Sequence, residues 1–521
     1  MFKKVIMHIP IDKRVSLCYN EGNLYKEGIP MRSKSIISLI LCAVMLLCML
    51  VSCDLGGKDA ATTSGDGTTD APKDSVSDTV PESTESETDG RGFPNDALPN
   101  KKFNDVVGIL TWSNQIAYEF GSDKETGNPI YDQVFYRKRY LKEKYGMELD
   151  IKLVDCTPDN TKTFLLALSA MMNESSGSYD VVGAPMFVAG SAASKGIFED
   201  LTDRTYAPYV DLSKPWWNDA VIEEAKLGGR VYTVTGDITP TFYRGLSLCV
   251  VNNNIWKDLY GRGDVCDLVD NKEWTYDRLM MIVSDAAGLE DGFIPVTVDS
   301  EETLDSIFTS AGFGLLEHTK NGDIALSELS RDEDFLTFYK FGSDALKSDA
   351  VVISSHTEAS VKGKSLVHFG DAAQMEYLFK NGIYDYRIAP YPMYTTAENA
   401  KQNEYKSAIG LSTTFYGITA CADHEIASFA LEALASFGYR WFTCTWFEGA
   451  INGRPDVEHI EMLELVMKSA TFELGYTFSE SLSLIGVFRE CAKGNSDWAA
   501  YVSGKVGDWN SAIKEINSKL G

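Results

Sequence analysis

Six histidines and 75 acidic residues give this 521-residue chain material for metal or acid–base chemistry, so spacing has to decide what it can do. A zinc-protease helix needs a second histidine four residues after the first, but His424-Glu425 is followed by Ser428 in that place and His459 stands alone. Gly363-Lys364-Ser365 ends like a phosphate loop, yet Glu358 occupies the position of its leading glycine. Gly312 and Gly314 are followed by Glu317 where a dinucleotide fingerprint has a third glycine, and Gly245-Leu-Ser-Leu-Cys249 fails a nucleophile elbow at its last position. Arg262-Gly-Asp264 reads as a polar turn rather than an adhesion tripeptide. A pair of glycosidase carboxylates can always be nominated among so many acids, so such a pair carries no weight. No catalytic residue, no metal ligand and no cofactor is expected.

Composition narrows the classes further. Hydrophobic content of 44% and aromatic content of 11% are those of a globular chain long enough for at least two cores. The formal net charge is −27; residues 1–53 carry four net positive charges, which leaves −31 from Asp54 onward. Such a surface repels phosphate backbones and anionic headgroups, which argues against nucleic-acid binding and polybasic membrane contact.

Arg32 and Lys34 precede an apolar run from Ile36 to Val51 broken only by Ser38, ending in Leu50-Val51-Ser52-Cys53. The run is short for a membrane span and reads as a signal segment, 31–53. Its ending resembles the lipobox of bacterial lipoproteins, which implies diacylglycerol on Cys53. Residues 1–30 fit no targeting pattern. Lys26-Glu27-Gly28 is what a purine-rich ribosome-binding sequence would spell two codons before Met31, so this stretch is expected to be an untranslated extension. Residues 54–100 are rich in Ser, Thr, Asp, Gly and Glu and read as a disordered tether.

Beyond the tether, Val106–Trp112, Glu148–Val154 and Tyr179–Gly183 read as strands, separated by helices at Tyr131–Tyr145 and Thr161–Asn173. Asn128-Pro129 supplies a cap and first turn, and Gly146 a stop. This alternation predicts a parallel α/β sheet with ligands beyond the strands' carboxyl ends. From Trp216 to Asn252 the pattern predicts two strands, Val231–Thr235 and Leu246–Val251, crossing between two lobes through the Gly236-Asp237 interruption. Asp423 caps a helix that Gly438 is expected to stop, and a stripe from Trp498 to Leu520 predicts a last helix interrupted near Gly504 and Gly507. Cys156, Cys249, Cys266, Cys421, Cys444 and Cys491 have irregular spacing and read as mostly buried thiols, with pairing not deducible.

Several segments occur in a telling order: Tyr179-Asp-Val-Val182, Gly196-Ile-Phe-Glu-Asp-Leu201, Lys214-Pro-Trp-Trp-Asn218, Gly228-Gly-Arg-Val-Tyr-Thr-Val-Thr-Gly-Asp237, Glu273-Trp-Thr-Tyr276, Tyr384-Asp-Tyr-Arg-Ile-Ala-Pro-Tyr-Pro392 and Gly453-Arg-Pro-Asp456. From Asp105 to the C-terminus this order resembles the extracellular solute-binding lipoproteins of carbohydrate-type ABC transporters. The resemblance implies a two-lobed, periplasmic-binding-protein-like α/β fold with hinge strands and C-terminal helices. It divides the chain into lobe 1 at 101–242 plus about 407–450, and lobe 2 at 243–406 plus about 451–521. Pro392-Met-Tyr-Thr395 replaces a frequent Pro-Lys-Tyr-Asp, and Glu398–Glu404 lengthens the segment before Ala408, which leaves the ligand's identity open.

A sugar needs flat aromatic faces and polar groups for its hydroxyls. Strand ends and crossings offer Trp112, Asn114, Asp237, Tyr243, Arg244 and Tyr391. Phe369 and Asp371 sit where the resemblance implies a cleft loop. Trp112 fits the core equally well, and Asp237 with Arg244 could form a structural pair. Trp216 and Trp217 read as packing. The expectation is a monomeric receptor, lipid-anchored on the outer face of the cell membrane, that binds a mono- or oligosaccharide for ABC permease subunits. The alternatives are a tethered carbohydrate-active enzyme and a binder of peptide or another non-sugar ligand.

Overall fold

Asn128 accepts backbone N–H bonds from Ile130 (3.0 Å) and Tyr131 (3.3 Å), Pro129 opens the helix Pro129–Tyr145, and Gly146 ends it at φ 67°. The cap, the helix and its stop therefore form as their residue types dictate. The computed structural model describes residue 88 and residues 93–520, apart from 174–178, 287–288, 290–292, 355–360, 382–384, 399, 401 and 452–456. The signal segment, Cys53, most of the tether and Gly453–Asp456 lie outside the described residues. Among the described residues no helix is long and apolar enough to cross a membrane.

The strands, in chain order, are β1 Asp105–Trp112, β2 Met147–Val154, β3 Val181–Pro185, β4 Ser247–Asn252, β5 Ile294–Val298, β6 Leu316–His318, β7 Ile324–Leu326, β8 Val351–Ile353, β9 Ser365–Asp371, β10 Tyr386–Ala389, β11 Ser407–Ala408, β12 Thr414–Ile418 and β13 Ala470–Thr471. The fold is mixed α/β on two main sheets, ordered β12-β3-β1-β2 and β10-β4-β9-β5-β8. In the first, β1 runs parallel to β2, from Asp105 beside Met147 to Trp112 beside Val154, and parallel to β3. Strand β12 closes its edge antiparallel to β3. In the second, β5 is parallel to β8 and β9, while β4 is antiparallel to β9 and β10. The fully buried β3 and β12, and nearly fully buried β9, explain the apolar runs of their sequences.

The chain leaves the first sheet through the helix Pro240–Arg244 and Gly245, and returns through β11 and Gly410. Gly410 N–H donates to the Gly245 carbonyl at 2.9 Å, and Leu246 bridges Ile409 beside it. A Cβ on Gly245 would stand 2.7 Å from the Thr413 hydroxyl and 3.0 Å from Gly410 N, so the two crossings pack at glycine distance.

Three expectations need correction. Val231–Thr235 is not a strand: Val234 exchanges backbone bonds with Tyr416, but Gly236, at φ 140°, turns the chain onto Trp217 before a ladder grows. The helix capped by Asp423 does not stop at Gly438 but runs from His424 to Ile451. Gly438 is the notch that lets the Asp237 carbonyl approach. The helix Trp498–Leu520 is continuous through Gly504 and Gly507, which face open space, because Trp498, Trp509, Ile513, Ile516 and Leu520 bury its other face. Cys156, Cys249, Cys266, Cys421 and Cys491 are free thiols, all but Cys421 buried.

Candidate ligand-binding site

Strand β1 ends at Trp112 and leads through the turn Ser113–Gln115 to the short helix Ile116–Glu119, which carries Tyr118. Strand β9 ends at Asp371 and feeds the helix Ala372–Asn381, which carries Glu376. Arg244, last residue of the crossing helix, reaches both. Its guanidinium lies 4.1 Å from the centroid of the Tyr118 ring and forms an ion pair with Glu376. A planar cation between an aromatic face and a carboxylate is arginine's favoured setting. Tyr118 also meets Tyr131 edge to face at 5.3 Å. Burial, with the Tyr131 hydrogen bond, pushes the Tyr118 hydroxyl up to about 12, against the pull of Arg244.

Behind Arg244 lies a second layer of acids. Burial pushes the Asp371 carboxyl up to about 7, opposed by the Gln374 N–H (2.8 Å) and by Arg244, while Asp299 raises it further. Asp299 follows β5 and stands 3.7 Å from His368 Nε2, whose Nδ1 is 2.7 Å from the Thr297 hydroxyl. Near neutral pH, Asp371 is therefore poised between donor and acceptor, which suits a partner with hydroxyl groups.

The structure brings Arg244 and Asp371 together and leaves Asn114 exposed just beyond β1. The other expected contacts are buried. The Trp112 indole donates to Thr414 Oγ1 at 3.0 Å and meets Phe187 edge-on at 6.0 Å. Asp237 accepts from the hydroxyls of Tyr243 and Thr443, so it does not pair with Arg244. Tyr243 also stacks on Trp446 at 5.5 Å. Phe369 and Tyr391 pack edge to face at 4.9 Å, with the Tyr391 hydroxyl donating to the Gly370 carbonyl at 3.0 Å. These five side chains hold the strand ends and the crossing in position. Trp216 and Trp217 are packing residues: both indoles donate to Glu432, at 3.0 and 3.2 Å.

Sequence reasoning missed Tyr118, Glu376 and Asp299. Tyr118 stands six residues after a strand already identified as leading to the site, so its position was a usable signal. Glu376 lies 132 residues from Arg244, and nothing local marks it as the partner. Among the described residues no group of three His, Cys, Asp or Glu side chains is arranged to hold a metal ion.

No family model matches this sequence, and no curated protein matches it. Solved structures do. The chain is similar to the ABC substrate-binding protein Lmo0181 from Listeria monocytogenes in complex with cycloalternan, at 9% identity over 80% of this chain and 99% of that one, with a TM-score of 0.49. It is similar to UgpB from Mycobacterium tuberculosis in complex with glycerophosphocholine, at 12% identity over 79% and 98%, TM-score 0.49. It is also similar to an extracellular solute-binding protein family 1 structure from Alicyclobacillus acidocaldarius subsp. acidocaldarius DSM 446, at 10% identity over 80% and 98%, TM-score 0.49. The likeness is one of fold, at low sequence identity, to extracellular solute-binding proteins of family 1 and ABC substrate-binding proteins.

Proposed function

We propose that this chain is the solute receptor of an ABC importer, binding a mono- or oligosaccharide between its two sheets and passing it unaltered to permease subunits. One observation carries the reading: Arg244, at the crossing, touches Tyr118 from the first sheet's side and Glu376 from the second's. A solute that engages these groups contacts both halves at once, and differential contact of that kind is what shifts a hinged protein toward its closed state. The halves are 101–242 with about 407–450, and 243–406 with about 451–521. They turn about the Gly245–Gly410 crossing. A diacylglycerol on Cys53 and the tether 54–100 hold the monomer at the outer face of the membrane.

Calorimetric titration of the full chain with a panel of mono- and oligosaccharides and short peptides tests the reading, with the bound sugar recovered and analysed afterwards. Stoichiometric binding, chemically unchanged sugar and weaker binding by Arg244→Ala are expected. Release of cleavage products would instead favour the tethered carbohydrate-active enzyme, and binding of peptides alone would favour a non-sugar receptor.

A further inference from the structure

A second space of about 640 Å³ lies beside the returning crossing, within the size range of small-molecule sites. The helix Asp219–Glu224, the end of the helix Glu302–Ser310, the β6–β7 hairpin, the segment before β11, and β13 wall it. None of its lining residues belongs to the Arg244 cluster. Phe313 and Phe472 give it two apolar walls, both buried.

Its charged groups divide into committed and uncommitted. Glu473 accepts backbone N–H bonds from Leu315 (2.8 Å), Leu316 (3.2 Å) and Gly475 (2.9 Å). Arg331 pairs with Glu328 at 3.4 Å, and Asp332 caps its helix through Phe335 N–H. Among the charged and amide side chains of the lining, the Glu224 carboxylate, the Lys406 ammonium and the Gln402 amide, on a residue only 6% exposed, have no hydrogen-bond or ion-pair partner among the described residues, whereas Glu317 is engaged and His318 meets the Glu224 carbonyl at 2.9 Å. Burial raises the Glu224 carboxyl, and His318 and Lys406 pull it back, so Lys406 is near enough to be felt without forming a pair.

None of the three groups is sealed from solvent, so a ligand gains here by matching their charges and hydrogen-bonding groups directly, with charge-assisted bonds the strongest of these. A neutral polyol would serve Gln402 but leave both charges unmatched. A simple cation would serve only Glu224, and a simple anion only Lys406. We propose that this cavity is a second binding site, for a small zwitterion of the amino-acid or dipeptide class. Its ammonium meets Glu224, its carboxylate meets Lys406, and the Gln402 amide holds one end.

The test is calorimetric titration of the full chain with L-glutamine and L-alanyl-L-alanine, with sorbitol and N-acetyl-L-alanine amide as uncharged controls. The zwitterions are expected to bind, and Glu224→Gln and Lys406→Gln each to weaken them at least about tenfold. The capped control, run on the unaltered protein, does not depend on how the variants fold, and it is expected not to bind. Silence from both zwitterions up to about 10 mM overturns the proposal. So does equal binding of an uncharged control. Arg244→Ala separates this site from the crossing cluster: retained zwitterion binding supports the cavity, and lost binding assigns the zwitterion to the cluster and overturns the proposal.

Discussion

Gly438 packs against the Asp237 carbonyl so closely that a Cβ built on it would overlap the oxygen. The helix His424–Ile451 is thereby keyed to the residue whose carboxylate holds Tyr243 and Thr443, immediately before the crossing helix. Helix propensity alone would make Gly438→Ala stabilising by about 1 kcal/mol. Overpacking against backbone should reverse the sign and leave a net loss of about 2–3 kcal/mol. Urea denaturation measures this directly, and a more stable variant would contradict the close approach.

The buried Glu119 carboxylate is a second anchor of the crossing. It accepts from Thr239 (2.5 Å), Thr241 (3.1 Å) and Tyr416, beside Arg137, which is fully buried and donates to the Glu119 carbonyl at 2.6 Å. Glu119→Ala leaves that guanidinium without its counter-charge and three hydroxyls without an acceptor. A loss of about 3 kcal/mol or more is expected in chemical denaturation. A loss under about 1 kcal/mol would mean that the network is not what ties Thr239 to the first sheet.

Arg244→Lys keeps a positive charge beside Glu376 but removes the flat face over Tyr118. If the solute is held across the crossing, this variant should lose about tenfold in affinity while its melting temperature changes little. Full affinity in calorimetry would place the solute elsewhere.

Four buried carboxyls are pushed upward by burial to about 7 or 8: Glu432 to about 8, and Glu473, Asp371 and Asp305 each to about 7. Unfolded carboxyls titrate near pH 4, so between about pH 4 and about pH 8 the folded chain binds more protons than the unfolded one. Stability should therefore be greatest at the acidic side of this window and fall as pH rises through it. The slope approaches about 1.4 kcal/mol per pH unit for each group near the middle of its range. Melting temperatures between about pH 5 and about pH 8 should decline, and Glu432→Gln should flatten the decline. Stability that rises across the window would overturn this assignment.

The first sheet was legible because local signals agreed. Asn128 caps, Pro129 starts and Gly146 stops a helix, and the apolar run of β1 and the alternation of β2 place both strands within a residue or so. The misreadings share one cause. Gly438 carries the mark of a stop, but its meaning depends on Asp237, 201 positions earlier in the chain, whose carbonyl needs the space. Val231–Thr235 has strand-forming residues, but the one-sided pairing with β12 is decided by where Gly236 and Trp217 meet. In the site, Arg244 could be named from the crossing, and Asp371 from the cleft loop that the family resemblance implied. Glu376 and Asp299 could not, because their roles exist only once β9 and β5 lie side by side.

Closure of two halves over an unaltered solute at the Arg244 crossing would make the loaded chain more compact. Small-angle X-ray scattering of the full chain, with and without the tightest-binding sugar of the panel, tests it most directly. A smaller radius of gyration on saturation is expected, lost in Arg244→Ala, with the sugar recovered intact. An unchanged radius at saturation, or a cleaved sugar, would contradict it.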